Sequence, residues 1–353
     1  MPTAHAEFKK NFRLIIQDTV ITTMKNLIHI SLQLKLVLFL TAMVIYLQSC
    51  KYDDIYLPEN NMEMPANLTD HNIFQGKPSD LIPGNGFLLY EIPTQLFSDF
   101  AEKQRLIKVP AGEKLTALNN GLPNFPEGTI LVKTFYYFND KRDTSKGKKI
   151  IETRLLVKKE GKWNVGTYAW NNEQTDANLI SAGRNKTFEW ITENGNTKTV
   201  SFHIPSNREC ATCHHANRNM LPLGPKIRNL NMDVTRSGGF LNQLTYFQNT
   251  GILHSQDPSL FTRLPNSKDQ SFTLQERARA YLDINCAHCH NVNGDAKRTG
   301  LYLDYELPLN ETKITSRKKQ INKLMSAGKM PKLGITIIDE ESISLIKKYL
   351  ESL

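Results

Sequence analysis

Cysteine and histidine recur in one pattern at two places, CATCH at 210–214 and CAHCH at 286–290. In each, two thiols stand three positions apart and an imidazole follows the second directly. Thiols so spaced can add across the two vinyl groups of a haem, and the next residue then falls beneath the iron as proximal ligand. The pattern reads as attachment of two haem c groups. Cys210, Cys213 and His214 would hold the first; Cys286, Cys289 and His290 would hold the second. Other chemistries use paired cysteines. A zinc ribbon sets its CxxC pairs about 15–20 residues apart, whereas Cys213 and Cys286 are much further apart. A thioredoxin-like redox pair has no need of the histidine.

A sixth ligand for the second iron is legible. GKMPKLG at 328–334 places Met330 before a proline, tens of residues after the second motif. A thioether there stabilises ferrous iron and raises its potential. Met325 is the runner-up, but its position in the periodic run INKLM favours core packing. The first iron has no comparable signal. His215 follows the proximal ligand too closely to reach the opposite face, and Met220 is also close in sequence. Met232, His254 and His203 are each more readily packed or surface residues, and a site open on one side fits as well.

The elements that must position these residues follow from periodicity. GTILVKTFYYF (128–138), IIETRLLVKK (150–159) and KWNVGTYAW (162–170) are rich in β-branched and aromatic residues. Glu160-Gly161 and Asn194-Gly195 sit where hairpin turns belong. This is an antiparallel β-domain that runs through Ile204-Pro205-Ser206 into Cys210, with Trp163, Trp170 and Trp190 as core. Ahead of the second motif, Thr273 and Glu276 make a capping box, and Leu274, Ala278, Tyr281 and Leu282 share a helix face. At the C-terminus Asp339 is an N-cap, glutamates fill the first turn, and Ile343, Ile346, Leu350 and Leu353 form a stripe. The fold class is α+β: an antiparallel β-domain carrying the first haem, then an all-α domain carrying the second.

The fifth cysteine needs its own account. LVLFLTAMVIYL at 36–47 is too short to span a bilayer and suits the apolar core of a secretory signal. Lys25 and Lys35 precede it, and Gln48-Ser49-Cys50 follow. This resembles a bacterial lipoprotein signal with Cys50 as the lipidated first residue, although Gln48 replaces the usual small residue. Residues 1–23 carry mixed charge and no apolar core, so translation is expected to start at Met24. KYDD at 51–54 resembles an acidic surface-export signal. The expected organisation is a leader at 1–49, a tether at 50–80, the β-rich domain at 81–206, a first haem-binding segment at 207–270, and the helical domain at 271–353.

The chain carries a formal net charge of +9, but its lysines and arginines are scattered, so solvated surface is favoured and nucleic acid is not an expected partner. No Ser-His-Asp arrangement, Walker loop or HExxH is present.

LFSDFAEKQR (96–105), FPEGTILVKTF (125–135), ETRLLV (152–157), QTDANL (174–179), PLGPKIRNLN (222–231) and ERARAYLDINCAHCH (276–290) resemble a family of bacterial dihaem c-type cytochromes, over nearly the whole chain after the leader. Residues from about 305 to 328 look shortened against it. The helical part resembles a small cytochrome c domain. The resemblance implies two covalent haems, electron transfer and redox partner proteins, with membrane contact through a lipid anchor in the cell envelope. It supplies no substrate. A weaker resemblance ties the β-region to β-type cytochromes, among them cytochrome c-prime-beta and proteins with a lysine bonded to the porphyrin. Lys133 lies where such a lysine would sit, but a solvent-facing strand lysine is the favoured reading. Three functions follow in order: an electron carrier, a haem enzyme acting on peroxide or a small nitrogen compound, and a gas-binding module.

Overall fold

Alternating apolar and polar side chains build the larger part of the molecule. In the computed structural model, which describes residues 24, 29–43, 62–216 and 219–353, six antiparallel strands follow one another in chain order. They are β1 (Leu88–Leu89), β2 (Glu102–Lys108), β3 (Ile130–Phe138), β4 (Lys148–Lys159), β5 (Lys162–Trp170) and β6 (Ala177–Ile180). Period two gives the sheet two faces. Val132, Leu155, Tyr168 and Trp170 join one apolar cluster, while Leu131, Trp163 and Val165 join another that includes Cys210 and Ala211. A register shift at Phe135/Tyr136 changes which face β4 presents on either side of it.

The turns form as their residues dictate. Glu160 and Gly161 both take positive φ, 53° and 72°, and close a two-residue hairpin between β4 and β5. A second hairpin, β7 (Arg184–Ile191) and β8 (Thr197–Ile204), turns through Asn194-Gly195. Its Phe188, Trp190, Val200 and Phe202 cover Phe135, Tyr137 and Ile151 of the sheet. All three tryptophans are core, each at most 6% exposed.

The C-terminal region is helical, so the architecture is mixed α+β. Helix α1 (Asn207–Cys213) carries the first motif; α2 (Leu274–Asn285), α3 (Ile314–Ser326) and α4 (Glu340–Glu351) surround the second. The expected apolar faces meet in one cluster of Ala278, Tyr281, Leu282, Ile314, Ile321, Ile346 and Leu350. Thr273 and Glu276 form the reciprocal capping box, and the Asp339 carboxylate accepts from Ser342 N–H. Thr273→Ala is expected to cost about 1 kcal/mol, read as a lower denaturant midpoint; an unmoved midpoint would mean the cap contributes nothing.

Two expectations about organisation need correction. The tether does not extend to residue 80. Met64, Leu68 and Ile73 are buried beneath the sheet, and Thr69 donates to the Asp176 carboxylate from both its N–H (3.1 Å) and its hydroxyl (2.7 Å). Single apolar anchors spaced through an Asn- and Asp-rich stretch escape a reading by composition. Nor is residue 206 or 270 a domain boundary: the described residues from 62 to 353 fall in one compact unit. Leu131 and Val165 share a core with Ile227, Leu230, Leu244 and Phe247, which fixes the segment after the first motif to the sheet. Residues 29–43 are helical, and no helix among the described residues is long and apolar enough to cross a membrane. Cys50, Gln48 and KYDD lie outside the described residues.

Candidate functional site

Both motifs fold into the same local object. His214 N–H donates to Cys210 O at 3.0 Å, and His290 N–H donates to Cys286 O at 2.9 Å. Each motif is thus one helical turn. Positions i, i+3 and i+4 share a helix face, so each turn presents two thiols and an imidazole to the same side. The turns are held differently. The first ends α1, whose start is fixed by a Ser206/Glu209 capping box, and Glu209 also bonds His203 at 2.8 Å. The second follows α2, with Cys286 as its C-cap.

Each turn borders its own cavity. The second cavity, of about 500 Å³, is lined by Cys286, Cys289, His290, Met325 and Met330. Met330 and His290 therefore line the same cavity. Met325 also reaches this cavity, but it is buried in the helical core. Burial lowers the basicity of the His290 ring, and a backbone hydrogen bond with Leu301 opposes that shift.

The first cavity, of about 220 Å³, is lined by Cys210 and His214 and floored by the sheet. His214 Nδ1 lies 3.0 Å from Leu221 O, which leaves Nε2 free of that contact. Burial, and then the charge of Lys133, lower its pKa to about 3, so the ring is neutral near pH 7. His203, Met220, Met232 and His254 do not line this cavity, and among the described residues no methionine does. His203 is held between Asn185 and Glu209, and Met220 is core. His215 reaches the lining but is engaged at both nitrogens, by Ala211 O at 2.8 Å and Asp295 Oδ1 at 3.2 Å.

The strand register produces a feature that sequence reading missed. Arg105 pairs with Lys133, Lys133 with Arg154, and Arg154 with Thr167. Directly opposed residues share a face, so three basic side chains form one row across the sheet. All three line the first cavity, and Thr167 Oγ1 at the row's end is 3.8 Å from Cys210 Sγ. Lys133 is accordingly a cavity residue, which corrects its reading as solvent-facing. It has the same strand parity as the buried Leu131 and Phe135. Glu152 holds Arg154 through two hydrogen bonds, and Gln95 Oε1 accepts from Arg105 at 3.0 Å. Among the described residues no carboxylate forms an ion pair with Lys133. Burial, with Arg105, Lys103 and Arg154 nearby, holds its pKa well below the usual lysine range. The alternation of β3 could have revealed this lysine; the row itself needs the register of three strands.

Asp99 is a second residue the sequence did not single out, although it falls within LFSDFAEKQR. It is 2% exposed, and its carboxylate accepts from Thr336 N–H (2.8 Å), Thr336 Oγ1–H (2.8 Å) and Ile337 N–H (3.2 Å). The loop that carries Met330 is thus pinned to the β-region. Asp99→Ala leaves those donors without their acceptor, an expected loss of about 1–3 kcal/mol. The matching signature is faster hydrogen exchange at the Thr336 and Ile337 amides; unchanged exchange there would show that the loop is held by other contacts.

No protein-family model, no curated protein and no solved structure matches this chain. Its chemistry is therefore read from its own residues.

Proposed function

We propose that this chain is a dihaem c-type cytochrome that carries electrons in the bacterial cell envelope. Cys210, Cys213 and His214 hold one haem; Cys286, Cys289 and His290 hold the other, with Met330 as its sixth ligand. Lipid on Cys50 anchors the chain to a membrane, and its partners are redox proteins. The observation that carries this reading is that both motifs fold as the same helical turn, with Cys210 and His214 lining one cavity and Cys286, Cys289 and His290, joined by Cys213, lining the other.

The lining residues fit the group. Haem is a flat apolar ring with two carboxylates at one edge. Leu131, Leu156, Val165 and Leu221 offer the first cavity apolar walls, Arg105 offers it a cation bonded to Gln95 and not to a carboxylate, and the Lys133 amine lies on the same lining. The second cavity is the roomier of the two, and Met330 and His290 both line it. Bound haem would supply the one-electron couple. The residues of this chain orient it, bury it and set its potential.

The test is mass spectrometry of the mature, natively exported protein. Two added haems per chain are expected; none, or one, would end the reading.

A second reading is favoured by the difference between the cavities. Met330 closes the second site, while the first has no methionine in its lining and its His215 is already bonded. The first site is then the reactive or gas-binding end, fed by the second. Carbon monoxide added to the reduced protein is expected to shift the spectrum of one haem and leave the other unchanged. Two unresponsive haems would remove the open site, and two responsive haems would remove Met330 as ligand.

A further inference from the structure

The two motifs are distant in the chain and adjacent in space. The Sγ atoms of Cys213 and Cys289 and a ring nitrogen of His288 lie within 4.8 Å of one another. Cys213 is the second thiol of the first motif, and Cys289 is the second thiol of the other. His288 stands between the cysteines of the second motif and lines both cavities. The exchange is mutual: Thr212 and Cys213 reach the second cavity, while Ala287 and His288 reach the first.

We propose that the two haems form one electronically coupled pair, in contact where Cys213 and Cys289 attach them. This rests on the dihaem reading. A thioether bond fixes its sulfur to a vinyl-derived carbon at the porphyrin edge. Sulfurs within 4.8 Å leave no room for a residue or a water between them, so the two porphyrin edges they would hold would lie side by side. The arrangement follows from tertiary folding, because α1 hangs from the β8 side of the β-region and the second motif follows α2.

Bound haems would supply one one-electron couple each; Cys213 and Cys289 would hold them at adjoining edges, so that an electron could pass between them with no bond made or broken and no proton moved.

The test uses the mature protein, with two haems first counted by mass, so that loss of the dihaem reading is recognised separately. Electron paramagnetic resonance of the fully oxidised form is expected to integrate to fewer than two spins per chain, with broadened lines. Reducing one haem is expected to sharpen the signal of the other. Two narrow signals integrating to two spins, unchanged in shape on half-reduction, would overturn the proposal. His288→Ala leaves both cysteine pairs in place and is expected to keep the coupling. Coupling lost in that variant would move the contact to the imidazole and overturn the sulfur-to-sulfur assignment.

Discussion

Asp283→Ala is expected to destabilise the protein by about 3–5 kcal/mol, the cost of leaving a buried charge without its partner. Asp283 and Arg228 are 3% and 2% exposed, and Arg228 Nη2 donates to Asp283 Oδ1 at 2.6 Å. Tyr305 N–H donates to the same oxygen at 3.1 Å, Lys226 Nζ lies 3.7 Å away, and Glu306 takes the other arm of Arg228. The network ties the segment after the first motif to α2, just ahead of the second. Equilibrium unfolding in denaturant checks it. A loss below about 1 kcal/mol, as for a surface pair, would show that Glu306 and Tyr305 hold the junction alone. Replacing both partners, Arg228→Met with Asp283→Leu, is expected to recover much of the loss, because no unpaired charge is left between them.

The same pair makes stability depend on pH. Burial raises the Asp283 pKa, but Lys226 and Arg228 lower it further, so the folded-state value lies below the ordinary one. A depressed carboxylate contributes fully above its unfolded pKa of about 3.9 and loses its contribution as pH falls through the folded value. The wild type should therefore weaken in acid below about pH 4, and Asp283→Ala should lack that part of the acid transition. Parallel acid-unfolding curves would contradict this.

On the proposed dihaem reading, Met330→Ala is expected to change the second haem from closed to open. Met330 shares the cavity of His290, and the other methionine there, Met325, is held in the helical core. Without the Met330 thioether one coordination position there would be free, so the second haem of the variant should gain a response to carbon monoxide, and its potential should fall. Spectra of the reduced variant with and without carbon monoxide, and a potentiometric titration, decide this. If the second haem stays unresponsive, Met325 or another side chain takes the position, and the assignment of Met330 fails. Asp99→Ala is the milder relative of this variant, because it frees the loop but keeps the sulfur.

The two elements that hold the motifs show how far sequence reading went. Thr273 and Glu276 announce α2 because a capping box is closed by residues three apart. Glu160 and Gly161 announce the β4–β5 turn because its positive φ values are set within the turn. The burial of Met64, Leu68 and Ile73 was not legible, since those side chains reach the sheet across a hundred residues of chain. Lys133 stood between the two cases. Its parity on β3 was readable, but which face of β3 is covered depends on α1 and the residues after it.

The amino-acid order alone determined the two CxxCH turns, the caps, the hairpins and the α+β class, because each depends on contacts within a few residues. Only the tertiary structure decided that Arg105, Lys133 and Arg154 form one row, that Asp99 pins the Met330 loop, and that Cys213 meets Cys289. Those depend on strand register and on the packing of helices against the sheet, where residues far apart in the chain are brought together by burial and not by spacing.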